Sequence, residues 1–329
     1  MLGRAKYRDI EEKVMRGERL TKEDGLRLFA CPDLSWLGAL ADHVRREKCG
    51  DIVYYNVNCH VNLTNICTSH CKFCAFGRDA EDKGAYAMRI ADAIAVVEDA
   101  KKDPDLAGLH VVSGLHPDWT FEDYLSRVEL LHTRFPELYM KGFTGVEITH
   151  FAKISGKSVE EVLRLLMERG GLSAIAGGGA EILSDRVRGE LCPNKATADE
   201  WLATHRTAHE LGIKTNASML YGHIETIEER VEHLLRLREL QDETGGFQTF
   251  IPFPFLPSHT ELGQQVKQTS LWDDLRTMAI SRLLLDNFTN IKAYWVMLTV
   301  PVAQVALSFG ANDIDGMVHK ETILHDAGA

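Results

Sequence analysis

The fold and the chemistry of this chain are decided by one stretch, Asn65-Ile-Cys-Thr-Ser-His-Cys-Lys-Phe-Cys-Ala-Phe76, which places Cys67, Cys71 and Cys74 in a single short loop. Their spacing is C-x3-C-x2-C. Cysteine thiolates are the usual ligands of iron–sulfur clusters, and a four-iron cluster held by only three of them keeps one iron open for a small molecule. The loop therefore predicts a 4Fe–4S cluster with a free coordination position.

The same cysteines permit a second interpretation, a structural zinc loop in which His60 or His70 supplies the fourth ligand. Structural zinc sites generally pair two short clusters of ligands, and no second Cys or His pair follows at the required spacing. The iron–sulfur cluster is therefore the stronger prediction. The other cysteines stand singly, as small buried side chains often do: Cys31, Cys49, Cys59 and Cys192.

Composition favours a cytoplasmic enzyme. The chain has 329 residues, 45% hydrophobic and 26% charged, which is enough for a large core and a solvated surface. Its seven cysteines do not resemble a secreted disulfide framework, so we expect a reducing compartment. The N-terminus lacks an apolar signal core and no run of about 18 apolar residues exists, so we expect no membrane partner. A net charge of −11 argues against nucleic acid.

Short apolar or β-branched runs alternate along the chain with helix-start signatures of the form Ser/Thr-x-x-Asp/Glu. This alternation predicts an α/β fold, a (β/α)8 TIM-type barrel over residues 49–329, with a helical lead-in over residues 1–48. The expected strands are 53–63, 108–113, 138–143, 172–176, 213–220, 247–253, 291–297 and 305–309. The expected capping boxes are Thr120/Asp123, Thr144/Glu147, Ser158/Glu161, Thr197/Glu200 and Thr226/Glu229.

Residues at the C-terminal ends of barrel strands are the expected site. The second strand is followed by Ser113-Gly-Leu-His-Pro117, which is otherwise an ordinary turn. The fourth is followed by Gly177-Gly-Gly-Ala-Glu181, whose carboxylate can accept hydrogen bonds from ribose hydroxyls; a tight turn with a surface Glu is the alternative. Glu147, as the partner of Thr144, is expected to be a helix cap.

The fifth strand places Asn216 in the lumen, with Gly222 and His223 at the rim. Imidazole moves protons readily near neutral pH, so His223 is the candidate acid–base group, with a structural hydrogen-bonding role as the alternative. Gln248 and Tyr294 are expected to line the lumen from the sixth and seventh strands, and His116 is a further candidate substrate contact.

The cysteine spacing, with the aromatic Phe73 just before the third Cys, resembles the signature of the radical S-adenosylmethionine (SAM) enzymes. The resemblance implies that the open iron chelates SAM. It also implies that Ser113 and Gly114 receive the amino group of SAM, that Gly222 belongs to an element contacting adenine, and that Lys195 lies near the carboxylate of SAM, as in biotin synthase.

A narrower resemblance covers nearly the whole chain. Four stretches are similar to the radical SAM enzymes of the futalosine route to menaquinone: Gly177-Gly-Gly-Ala-Glu-Ile182, Tyr221-Gly-His-Ile-Glu-Thr226, Leu240-Gln-Asp-Glu-Thr-Gly-Gly-Phe-Gln248 and Leu283-Leu-Leu-Asp-Asn-Phe288. Three others favour the aminofutalosine synthases over the cyclic dehypoxanthinylfutalosine synthases and the deazaflavin FO synthases: Ser113-Gly-Leu-His-Pro117, Thr215-Asn-Ala-Ser218 and Ala293-Tyr-Trp-Val-Met297.

This resemblance implies a transferase that adds the 5'-deoxyadenosyl radical of SAM to the enol-ether double bond of 3-[(1-carboxyvinyl)oxy]benzoate. Aryl migration and loss of carbon dioxide or bicarbonate would give aminofutalosine. SAM is then a co-substrate, and an electron donor such as flavodoxin or ferredoxin is the implied protein partner. A sibling radical enzyme and a non-enzymatic zinc scaffold are the alternatives.

Overall fold

The computed structural model describes residues 6–329 and opens with three helices that precede the first strand. They are α1 Arg8–Met15, α2 Lys22–Phe29 and α3 Leu34–Cys49. In the close packing of α3, a Cβ added at Gly38 would lie 2.6 Å from the ring of Phe309, so only glycine permits this approach. The predicted lead-in is therefore helical from Arg8 onward, and residues 1–5 of it lie outside the described part.

Eight parallel strands form one sheet, with consecutive strands adjacent. They are β1 Asn58–Val61, β2 Gly108–Val111, β3 Tyr139–Thr144, β4 Leu172–Ala176, β5 Lys214–Tyr221, β6 Phe247–Pro254, β7 Asn290–Ile291 and β8 Val318–His319. The spatial order is β7-β6-β5-β4-β3-β2-β1-β8. Asp313, shortly before β8, pairs with Lys292, just after β7, and with Tyr54. This residue joins the two edges of the sheet, and the predicted α/β barrel is confirmed.

Helices follow the strands on the outside of the barrel. They are α4 Ile90–Ala100, α5 Phe121–Arg134, α6 Gly145–Ser155, α7 Val159–Glu168, α8 Asp185–Leu191, α9 Ala198–Glu210, α10 Ile227–Thr244, α11 Leu271–Leu284, α12 Trp295–Leu298, α13 Val300–Ala306 and α14 Ile323–Asp326. All five predicted capping boxes are confirmed, with both reciprocal hydrogen bonds present in each. Outward-facing strand residues such as Val61 and Leu109 are fully or almost fully buried against this ring.

The eighth strand was predicted in the wrong place. Residues 305–309 end α13 and continue into a 3-10 turn, Leu307–Phe309. A short apolar run fits a strand and a buried helix equally well, and Pro301 in the first turn of α13 favours the helix. The seventh strand also ends earlier than predicted, because Trp295 begins a helical turn.

None of the helices of residues 6–329 combines the length and the apolar character needed to cross a bilayer.

Candidate active site

A cavity of about 330 Å³ opens at the C-terminal ends of the strands. The cysteine loop after β1, the turn after β2, the start of α6 after β3 and the glycine run after β4 all contribute to its wall. Nine of the residues predicted to bind the cluster, SAM or the substrate line it: Cys67, Cys71, Phe73, Cys74, Ser113, Glu181, Lys195, Asn216 and Tyr294. The barrel therefore brings together in one space residues that lie far apart in the chain.

The three cysteines of the loop fit an iron–sulfur cluster. All are free thiols facing the same cavity, and the backbone N–H of Gly77 lies 3.3 Å from Cys74 Sγ, where it can donate to a thiolate. Burial raises the pKa of Cys71 to about 12. A bound cation would act in the opposite direction, because metal ligands of this kind are thiolates.

The two histidines considered as zinc ligands have other partners. His60 Nδ1 lies 2.7 Å from Glu321 Oε2, and the exposed His70 faces Asp79 at 3.7 Å. Across residues 6–329, no three His, Cys, Asp or Glu side chains converge on the position of a single metal ion.

The turn after β2 is fastened to α6 by Glu147. The Ser113 N–H donates to Glu147 Oε1 at 2.7 Å, while Glu147 Oε2 accepts from Thr144. The predicted cap is confirmed, but the sequence did not reveal that Glu147 also lines the cavity. Burial raises the pKa of this carboxyl to about 7. Ser113 Oγ is buried without a hydrogen-bond partner among the described residues, as a ligand-facing hydroxyl would be.

Gly114 lies in the same turn but does not line the cavity, and it packs against the segment that leads into the cysteine loop. Its N–H donates to the Thr64 carbonyl at 2.8 Å, and a Cβ added there would lie 2.4 Å from the carbonyl oxygen of Ile66. Glycine therefore lets the turn pack against the chain entering the cysteine loop. His116 also lies outside the cavity lining and stacks on Trp119 at 4.9 Å between ring centroids.

Glu181 and Lys195 form an ion pair in the cavity wall, with Lys195 Nζ 2.7 Å from Glu181 Oε1. The same ammonium lies 5.1 Å from the centre of the Phe73 ring. Burial opposes the charge of Lys195, but the nearby Cys71 and Glu181 outweigh this effect and raise the pKa of the ammonium. Two residues predicted separately thus act as one unit beside the cysteine loop.

His223 lies beside the cavity rather than in its wall. Its side chain is 0% exposed, with Nδ1 2.9 Å from Glu225 Oε2 and Nε2 2.9 Å from the Leu220 carbonyl oxygen. Gly222 precedes it with φ +87° and donates to Glu225 Oε1 at 2.6 Å. The acid–base role of His223 and the adenine contact of Gly222 stay predictions.

Gln248 lies at the other end of the barrel, where its Nε2 is 3.3 Å from Tyr139 Oη. It lines a second cavity, of about 370 Å³, which opens at the N-terminal ends of the strands. Five residues line both cavities and separate them; we call them the lumen floor: Asn58, His110, Lys141, Asn216 and Lys292. The substrate contact of Gln248 stays a prediction.

The polar groups at and above the lumen floor are what the sequence reasoning missed. His60 joins Glu321 on one side and lies 3.1 Å from His110 on the other, ring nitrogen to ring nitrogen. Burial and the neighbouring His60 lower the pKa of His110. The missed signal was present in the strands, since Asn58, His60 and His110 are polar residues at inward positions of apolar segments.

The fold and the site define a barrel enzyme built around a three-thiol loop. Residues 61–237 match the family model described as the Radical SAM superfamily, and residues 244–329 match the CofH/MqnC C-terminal region. The chain belongs to the radical SAM superfamily, in the group that carries this C-terminal region. The resemblance deduced from the sequence is confirmed.

Relatives of known activity are similar over nearly the whole chain. An aminodeoxyfutalosine synthase of Thermus thermophilus is 47% identical, covering 97% of this chain and 86% of its own length. One from Streptomyces coelicolor is 45% identical over 97% of this chain and 84% of its own length. A 5-amino-6-(D-ribitylamino)uracil–L-tyrosine 4-hydroxyphenyl transferase of Methanococcoides burtonii is 38% identical, covering 98% of this chain and 90% of its own length.

Solved structures share the fold. Methylornithine synthase superposes with a TM-score of 0.74 at 18% identity, covering 95% of this chain and 87% of its own. The FeFe-hydrogenase maturase HydG from Carboxydothermus hydrogenoformans also superposes with a TM-score of 0.74, at 16% identity, covering 96% of this chain and 71% of its own. At these identities the likeness concerns the barrel alone.

Proposed function

We propose that this protein is an aminodeoxyfutalosine synthase, a radical SAM transferase of menaquinone biosynthesis. Its reaction joins the 5'-deoxyadenosyl group of SAM to 3-[(1-carboxyvinyl)oxy]benzoate and releases methionine and carbon dioxide or bicarbonate. The observation that carries the proposal is the identity of 45–47% to two such synthases over 97% of the chain. The chain also carries, in one cavity, the cysteine loop and three lysines that could meet an anionic substrate.

Cys67, Cys71 and Cys74 would hold the cluster, since they are the three thiols that face the cavity together. When bound, the cluster supplies the electron that cleaves SAM. An electron donor such as flavodoxin or ferredoxin, in the reducing cytoplasm, would provide that electron to the protein.

Four residues near the loop would orient SAM. Ser113 presents an unpartnered hydroxyl, Glu181 can accept from ribose hydroxyls, and Lys195 can pair with a carboxylate while it packs over Phe73. Binding both reactants in one enclosed site converts a two-body encounter into a positioned reaction. The barrel wall also keeps water from the reacting atoms.

The substrate would lie deeper in the barrel, between the cysteine loop and the lumen floor. Asn216 and Tyr294 line this part, and Tyr294 packs against Phe253 at 5.8 Å between ring centroids, which suits an aromatic ring. His116 and Gln248, which lie outside this cavity, stay predictions as substrate contacts.

The product of an anaerobic incubation tests the proposal. Reconstituted protein with SAM, reductant and 3-[(1-carboxyvinyl)oxy]benzoate should form a compound with the mass of aminodeoxyfutalosine, in step with methionine. Release of 5'-deoxyadenosine without this adduct would contradict the proposal, because a synthase incorporates the adenosyl group into its product.

A second candidate is the activity named for the archaeal relatives, at 38–40% identity. The discriminating experiment replaces the benzoate by L-tyrosine and 5-amino-6-(D-ribitylamino)uracil. We expect no coupled product from this pair. The lumen floor favours this expectation, because its unpaired cation suits a substrate with excess negative charge better than a zwitterionic amino acid.

A further inference from the structure

Lys141 is a lysine in the middle of the barrel with no carboxylate of the described residues within ion-pair distance. It stands on β3 opposite His110 of β2, which in turn stands opposite His60 of β1. Its half-buried side chain lines both cavities. Within residues 6–329 its ammonium forms no ion pair and no hydrogen bond.

The other lysines of the upper cavity are neutralised. Lys195 pairs with Glu181 at 2.7 Å. Lys292 lies 2.8 Å from Asp315 and 3.4 Å from Asp313, and although burial opposes its charge, these carboxylates raise the pKa of its ammonium. Lys141 differs, because burial and the nearby Lys292 lower its pKa to about 8, although Asp315 and Asp313 act in the opposite direction. These two carboxylates contact Lys292 and form no ion pair with Lys141, so the charge of Lys141 is only partly compensated.

Two other polar side chains of the lumen floor also lack hydrogen-bond partners among the described residues. Asn58 Oδ1 is buried and unpaired among the described residues, and the amide of Asn216 likewise makes no hydrogen bond there. Buried amides are normally satisfied, so these two indicate a polar ligand at the lumen floor. Their Nδ2 groups can donate to the oxygens of an anion bound there.

We propose that Lys141, assisted by Asn58 and Asn216, binds the ring carboxylate of the benzoate substrate at the lumen floor. This inference rests on the proposed function for the identity of the substrate. A carboxylate supplies an ion-pair partner for Lys141 and acceptors for the Nδ2 groups of the two amides. Lys141 is thereby the residue that selects a benzoate over a neutral aromatic compound.

The assignment also fixes the direction of the substrate. The ring carboxylate and the enol ether are in meta positions of the benzene ring and point in different directions. The lumen floor lies at the level of the strands, and the cysteine loop lies beyond their C-terminal ends. With the carboxylate at Lys141, the enol ether points toward Ser113, Glu181 and the cysteines, where SAM would be held.

Binding of unreactive analogues tests this site apart from turnover. The probes are 3-(carboxymethoxy)benzoate and its ring carboxamide, titrated by calorimetry into the anaerobic cluster-loaded protein. Wild type should bind the benzoate about 10- to 100-fold more tightly than the carboxamide, as expected for hydrogen bonds to a charged group. Lys141→Met should lose this preference and keep its affinity for the carboxamide, and Lys141→Arg should recover part of it.

The exposed Lys157, on the outer surface, provides the matched control, because Lys157→Met makes the same chemical change away from the lumen. It should keep the wild-type preference. If Lys141→Met binds the benzoate as wild type does, or weakens both analogues equally, the carboxylate site is refuted. Lys141→Gln repeats the test should the Met variant not fold.

The outcomes also separate this inference from the proposed function. A preference that depends on Lys141 in a protein that forms no aminodeoxyfutalosine would refute the function and support the carboxylate site. Normal product formation with an unchanged KM for the benzoate in Lys141→Met would refute the site alone.

Discussion

Lys195 Nζ lies 2.7 Å from Glu181 Oε1, and both side chains face the cavity that contains the three cysteines. Glu181 itself has a positive φ of 47°, a backbone conformation that is uncommon for residues other than glycine. The pair therefore holds a strained turn in place while it presents a carboxylate and an ammonium to the cavity. Strain of this kind is concentrated at ligand sites.

Glu181→Gln should weaken SAM binding by about 10- to 100-fold, the usual cost of losing hydrogen bonds to a charged group. Iron content should not change, because Glu181 does not belong to the cysteine loop. Calorimetry with SAM on reconstituted protein measures the first quantity and iron analysis the second. Glu190→Gln, at an exposed position of α8, is the control. If Glu181→Gln bound SAM with wild-type affinity, the prediction would be wrong and Glu181 would have only a structural role.

Cys67→Ala, Cys71→Ala and Cys74→Ala should each abolish cluster assembly and SAM cleavage, because three thiolates are the fewest that hold a four-iron cluster with one open iron. Reconstituted wild type should contain about four irons per cluster and change its electron paramagnetic resonance spectrum when SAM is added. Cys49→Ser, at a cysteine outside the cavity, should retain both properties. Cluster and SAM cleavage that survive in all three loop variants would disprove the assignment.

His223→Ala should lower the free energy of unfolding by about 1–3 kcal/mol, since it leaves the Leu220 carbonyl without the ring that contacts it. It also removes one contact of the Glu225 carboxylate, which keeps those with Gly222 and Arg230. Because the ring does not line the cavity, the ratio of product formed to SAM consumed should stay near the wild-type value. Urea titration and product analysis measure the two effects. A collapse of that ratio, with cluster retained, would instead support the acid–base role that the sequence predicts.

Lys141→Met should stabilise the ligand-free protein by about 1–3 kcal/mol at pH 7, because it removes a poorly compensated buried charge. The folded pKa is lowered from 10.5 to about 8. The charged side chain therefore destabilises the folded protein by its full amount below pH 8. This destabilisation decreases as the pH rises and reaches zero above pH 10.5, where the lysine of the unfolded chain is also deprotonated. The gain from the substitution should follow the same course.

Urea denaturation of wild type and of Lys141→Met at pH 7 and pH 10 measures this gain in the free energy of unfolding. Lys157→Met should show none at either pH. A Lys141→Met protein that is less stable than wild type at pH 7 would contradict the description of Lys141 as an only partly compensated cation.

Local signals in the chain predicted local structure well. The five capping boxes formed because each depends on a side chain and a backbone group three residues apart. The eighth strand was misplaced because residues 305–309 carry no signal that separates a strand from a buried helix.

By itself the sequence determined the parallel barrel and the iron–sulfur chemistry, because helix starts and the spacing of Cys67, Cys71 and Cys74 are encoded over a few residues. Only the tertiary structure decided which distant side chains share a space. Closure of the sheet placed Lys141 in the lumen without a carboxylate within ion-pair distance and gave Lys292 its carboxylates from the segment before β8. Whether a charge is paired depends on neighbours that lie far away in the chain, so spacing alone cannot predict it.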